Sequence, residues 1–95
     1  MKIKADETQL IGKWLDENGR VLKDEVSFRI EQLIANYLEK IGSDDSGWDT
    51  LFRDPGDGRL WELTYPSSGL HGGGPPRLTV LTKEEARAKY KDYVI

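Results

Sequence analysis

The stretch DEVSFRIEQLIANYLEKIG, residues 24–42, carries apolar side chains at Val26, Ile30, Leu33, Ile34, Tyr37, Leu38 and Ile41. They recur at three- and four-residue steps, which is the spacing of one face of an α-helix. Asp24 offers a side-chain acceptor to the free amides at the start, and Gly42 supplies a stop. The expectation is one long amphipathic helix from Asp24 to Gly42 whose stripe forms the core of a small domain. Upstream, Leu10 to Leu15 reads as a strand, and Asn18-Gly19 is the positive-φ pair favoured in a tight hairpin turn before Arg20 to Lys23.

Downstream, residues 43–47 form a polar break, after which Trp48 to Arg53 and Arg59 to Tyr65 read as antiparallel strands around Asp54-Pro55-Gly56-Asp57-Gly58. In the second of these strands Trp61, Leu63 and Tyr65 share a face, opposite Leu60, Glu62 and Thr64. The aromatic face is expected to pack on the helix. Arg77 to Leu81 offers another strand, and Thr82 with Glu85 makes a capping-box pattern for a short C-terminal helix running to about Tyr90. The fold class is therefore α+β, a mainly antiparallel sheet against one long helix with a short helix at the C-terminus.

At 95 residues, with 33% charged, the chain is expected to form a single domain over residues 1–95. It contains no cysteine, which removes disulfides and thiolate metal sites and suits a reducing cytosol. MKIKADETQL lacks an apolar targeting segment, and no apolar run approaches the ~20 residues of a membrane span. A soluble, unprocessed, cytoplasmic protein with no membrane partner is expected. The net charge of -3 is mild, but Asp44, Asp45, Asp49, Asp54 and Asp57 gather in the middle of the chain, while Arg87, Lys89 and Lys91 lie near its end. Nucleic acid is a poor partner for the acidic side.

Residues 61–78, WELTYPSSGLHGGGPPRL, join a strand to a glycine-proline loop. Gly72, Gly73 and Gly74 can adopt positive φ and admit a close neighbour, while Pro75 and Pro76 fix φ and push Gly74 towards extended geometry. His71 before three glycines invites comparison with the oxyanion loops of lipases, but a GxSxG nucleophile and a second histidine are both missing. A P-loop is excluded by the absence of its Lys-Ser/Thr and by the two prolines. The aspartates match no EF-hand spacing, so no metal and no cofactor are expected. Trp14, Trp48 and Trp61 are the large anchors available, and Trp48, beside the acidic loop, is the one best suited to a binding surface. The candidate partner-binding residues are Asp44, Asp45, Trp48, Asp49, Asp54, Asp57, His71, Gly72, Gly73 and Gly74.

WELTYP, the polar Ser67-Ser68-Gly69-Leu70 and HGGGPPRL together resemble the immunity protein 27 family of bacterial polymorphic-toxin systems. The likeness extends through LIGKW, RIEQLIANYLEK, GWDTLFRDPGDGRLWEL and KEEARAKY, and so covers nearly the whole chain. The resemblance implies a small cytoplasmic antidote, encoded beside a toxin, that neutralises it without catalysis in a one-to-one complex. If that toxin is a basic nuclease, acidic loops would compete with nucleic acid for its groove. Two other readings stay open: a general protein-interaction module, and a small hydrolase using His71 with a carboxylate.

Overall fold

The computed structural model describes residues 2–17, 20–66 and 74–93. In chain order these form β1 (Gln9–Ile11), β2 (Trp14–Glu17), β3 (Arg20–Lys23), α1 (Glu25–Asn36), β4 (Glu39–Ser43), β5 (Thr50–Arg53), β6 (Leu60–Thr64), β7 (Arg77–Leu81) and α2 (Lys83–Lys89). Five strands make one antiparallel sheet in the order β1-β7-β6-β5-β4, and β2 pairs with β3 in a separate ribbon. The α+β class holds. The sheet is covered on both faces, by α1 on one and by α2 on the other.

Period-two alternation accounts for this double cover. In β6, Trp61 and Leu63 join Ile30 and Leu33 of α1, as expected, while Leu60 on the opposite face meets Ala86 and Tyr90 at the other helix. Full burial of each large apolar side chain contributes roughly 1.5–3 kcal/mol. Both helix starts follow the expected chemistry. Asp24 Oδ1 accepts the Ser27 amide at 3.0 Å, and Thr82 and Glu85 close a reciprocal capping box with bonds of 2.9 and 3.1 Å.

The long helix is corrected. α1 is 12 residues and stops at Asn36; Tyr37 and Leu38 both donate to the Leu33 carbonyl, at 3.0 and 2.7 Å, and the chain then turns into β4. What stops it lies far away in sequence. The Tyr37 hydroxyl donates to Asp54 at 2.6 Å, and Glu39 to Ser43 pair with β5. A bulge between Lys40 and Gly42 turns Ile41 towards the α2 cluster while Leu38 enters the α1 cluster. A continued helix would place both on nearly the same side. Gly42 leaves room for Tyr93, since a Cβ there would lie 2.0 Å from the ring and would force that side chain to move.

The strand expected over Leu10 to Leu15 is also corrected, because it breaks at Gly12 into β1 and β2, which belong to different sheets. Gly12 donates to the Pro76 carbonyl at 2.9 Å, and Lys13 exchanges bonds with Asp24 at the head of α1. Glu17 pairs with Arg20 across the ribbon, and the Asn18-Gly19 turn lies outside the described residues.

Two arginines fasten the N-terminal segment. Arg29 of α1 grips Glu7 through two bonds of 2.6 and 2.8 Å, and Arg59 donates to the Glu7 and Lys4 carbonyls at 2.6 and 3.0 Å. The Arg29 bonds, with the Lys4 amide, hold the Glu7 carboxyl down at about 2. A lowered folded-state pKa gives stability that is present above the ordinary carboxyl range and is lost as pH falls through the folded value. Glu7 is therefore expected to contribute roughly 1–2 kcal/mol above pH 4.5, discounted for partial exposure, and to lose it between about 4.5 and 2. Acid denaturation followed by circular dichroism checks this. Glu7→Gln should flatten that part of the stability profile, and an unchanged profile would show that the Arg29 grip is worth nothing net.

Candidate functional site

The six-residue connection between β4 and β5 is organised by Asp44. Its Oδ1 accepts the Ser46 hydroxyl at 2.7 Å and the Gly47 amide at 3.1 Å, and its own amide donates to the Asp49 carbonyl at 2.9 Å. The Ser46 bond holds the Asp44 carboxyl below its usual range. Gly47 takes φ +79°, the left-handed value that lets the turn close. The loop so braced presents Trp48, 55% exposed, edge-on to Tyr65 with ring centroids 6.0 Å apart.

Beneath Trp48 opens a cleft of about 490 Å³ whose walls include Asp49, Glu62, Thr64, Tyr65, Arg77 and Lys89. Lys89, from the last turn of α2, bridges Asp49 at 2.5 Å and Glu62 at 2.7 Å. Glu62 also accepts the buried Tyr90 hydroxyl at 2.8 Å, and burial together with that carboxylate pushes the phenol far above its ordinary pKa. These bonds tie α2, β6 and the Trp48 loop into one unit. On the same sheet face Thr64 pairs across the ladder with Arg77. Arg77 Nε and the Thr64 hydroxyl are buried without a hydrogen-bond partner among the described residues.

The five aspartates do not form one patch. Asp44, Asp45 and Asp49 lie at one end of β5, whereas Asp54 and Asp57 lie in the β5–β6 connection at its other end. Asp54, a candidate partner-binding residue from the sequence, is 1% exposed and accepts the Tyr37 hydroxyl and the Gly56 amide, so it holds the fold and offers a partner no surface. Asp57 is paired with Arg59 at 2.6 Å. Asp45 remains exposed beside Trp48.

His71, Gly72 and Gly73 lie outside the described residues. Gly74 is buried with φ +77°, so it takes the left-handed value open to glycine and not the extended one suggested by the prolines after it. Sequence reasoning placed Trp48 and Asp49 at this site and missed Glu62, Thr64, Arg77 and Lys89. The available signal was the polar series Glu62, Thr64, Arg77 and Thr79, which alternates with apolar residues on two neighbouring strands. Among the described residues no group of three or more histidine or carboxylate side chains could hold a metal ion, and no helix is long and apolar enough to cross a membrane.

Comparison with known proteins adds one match. The family model described as Immunity protein 27 matches residues 16–82, from within β2 to the cap of α2, and so takes in Trp48, Glu62, Thr64 and Arg77. Neither the curated proteins nor the solved structures contain a match to the chain.

Proposed function

The chain belongs to the immunity protein 27 family, and from that membership we propose that it neutralises a cognate bacterial toxin domain by binding it, without catalysis, in the cytoplasm of the cell that makes it. The family match over residues 16–82 is the observation that carries this reading. The sheet supports it by supplying a rigid platform, covered on both faces, on which the Trp48 loop is held by Asp44 below and by Lys89 at the side. Binding surfaces favour this arrangement, because an aromatic anchor on a fixed frame loses little conformational freedom on association. Trp48 is the proposed anchor, with Asp45 and Asp49 beside it. Asp44 acts by shaping the loop.

A titration of the adjoining gene's toxin domain tests the reading. Toxin activity should fall linearly with added protein and reach zero at one equivalent when binding is tight. Abolition at far substoichiometric amounts would identify an enzyme acting on the toxin and would overturn the proposal. Full toxin activity at several equivalents would do the same.

A further inference from the structure

The five-stranded sheet ends in two edges, and they are guarded unequally. β4 carries the charged Glu39 and Lys40, a bulge between Lys40 and Gly42, and the Tyr93 ring against Gly42. Charges, bulges and covering side chains are the devices that keep an edge strand from pairing with another chain. β1 is short, but its ladder with β7 is regular, and Gln9, Leu10 and Ile11 include neither a charge nor a proline.

The outer side of β1 presents main-chain groups at strand spacing. Val80 donates to the Thr8 carbonyl at 3.0 Å, Leu10 stands opposite Leu78, and Gly12 donates to the Pro76 carbonyl at 2.9 Å. Alternate residues of an antiparallel strand bond to opposite sides, so Thr8, Leu10 and Gly12 face β7 while Gln9 and Ile11 turn their amides and carbonyls outward. Those outward groups have no hydrogen-bond partner among the described residues. Both residues are exposed, Ile11 at 49%, so the edge lies open to another molecule. The complement of outward N–H and C=O groups at this spacing is a second extended backbone.

The edge is also continuous with the cleft at Trp48. Ile11 stands opposite Arg77, and Arg77 opposite Thr64, so the three form one row across the same sheet face. Arg77 and Thr64 line the cleft that Trp48 borders. With strands ~4.8 Å apart, Ile11 lies roughly 10 Å from Thr64. Two exposed apolar side chains, Ile11 and Trp48, thus mark opposite ends of one surface. A domain docked at Trp48 has its own strands within reach of β1, which favours it over a second copy of this chain as the occupant.

We propose that an edge strand of the toxin domain pairs with β1 and adds a sixth strand to the sheet, setting an apolar residue against Ile11 while the rest of the domain reaches across the Arg77 row to Trp48. The assignment rests on the immunity reading above and adds to it the secondary structure of the toxin surface.

Amide hydrogen exchange and calorimetry on the full chain with the toxin domain encoded beside it test the proposal. In the free chain the Gln9 and Ile11 amides should exchange much faster than Leu10, and in the complex they should slow by about tenfold or more. Ile11→Pro removes an outward amide that makes no described bond, so it should melt within a few degrees of wild type yet weaken Kd roughly tenfold or more. Ile11→Val keeps the amide and should stay within about threefold, and Phe28→Ala, an exposed aromatic on α1, within about twofold. Unslowed exchange at Gln9 and Ile11 in the complex, or a wild-type Kd for Ile11→Pro, overturns the edge assignment and leaves the immunity reading standing. A chain that dimerises alone, with both amides protected, assigns the edge to a second copy and overturns the proposal. Failure of the wild-type chain to bind overturns both readings. Should Ile11→Pro melt well below wild type, the exchange result on the wild-type complex decides.

Discussion

Trp61→Ala is expected to destabilise the domain by about 3–5 kcal/mol, the largest loss of any single truncation considered in this fold. Trp61 is fully buried at the centre of β6, opposite Phe52 on one side and Val80 on the other, and α1 lies across its face. Its removal empties the middle of the larger core. It also strips the ring from under the Arg59 guanidinium, 5.1 Å from its centroid, and so loosens the clamp on the N-terminal segment. For a domain of this size each kcal/mol shifts the midpoint by roughly 4–8 °C, so the melting temperature should fall by roughly 12–40 °C. Trp61→Phe should cost far less. The indole Nε1 has no hydrogen-bond partner among the described residues, so no bond goes with it. Thermal melts monitored at 222 nm would distinguish the two variants, and equal losses for both would mean that the indole's full volume is needed.

Glu62→Ala is expected to cost about 2–4 kcal/mol for a different reason. The carboxylate accepts from the Tyr90 hydroxyl and from Lys89, and Tyr90 is only 2% exposed. Deleting it strands a buried donor and leaves Lys89 with Asp49 alone. Glu62→Gln keeps an acceptor for Tyr90 while removing the charge, and should recover about half of the loss. Urea denaturation of the two variants supplies the measurement. A neutral Glu62→Ala would show that α2 is held by Ala86 and Tyr90 packing alone. Since Lys89 connects this carboxylate to the Trp48 loop, Glu62→Ala should also weaken partner binding more than its distance from Trp48 suggests.

The parts of the fold legible in sequence are those whose causes are local. Asp24 and Thr82 announce helix starts because each caps an amide three residues away, and Trp61 and Leu63 declare a strand face because their alternation is the strand's own geometry. The stretch 37–43 misleads because Tyr37, Leu38 and Ile41 keep a helical spacing while the agents that end the helix, Asp54 and β5, arrive only with the tertiary fold. Gly12 hid a strand break for the same reason, since its constraint is the carbonyl of Pro76. At the candidate site, Trp48 stood out through its size and its glycine neighbour. Arg77 and Lys89 did not, because each becomes informative only beside the residues that face it: Thr64 for one, Asp49 and Glu62 for the other.

The sheet order carries a consequence for synthesis. β4, β5, β6 and β7 are successive neighbours and can zip as each emerges, but β1, the earliest strand to leave the ribosome, pairs only with β7, the latest. β1 therefore has no strand partner until Leu78 has been translated, whereas α1 and the Arg29 and Arg59 bonds to the N-terminal segment are available earlier. A nascent chain halted before β7 lacks both the closing strand and Arg77. The closed sheet and the Arg77 wall of the Trp48 cleft thus come into being together, and a truncated product has neither.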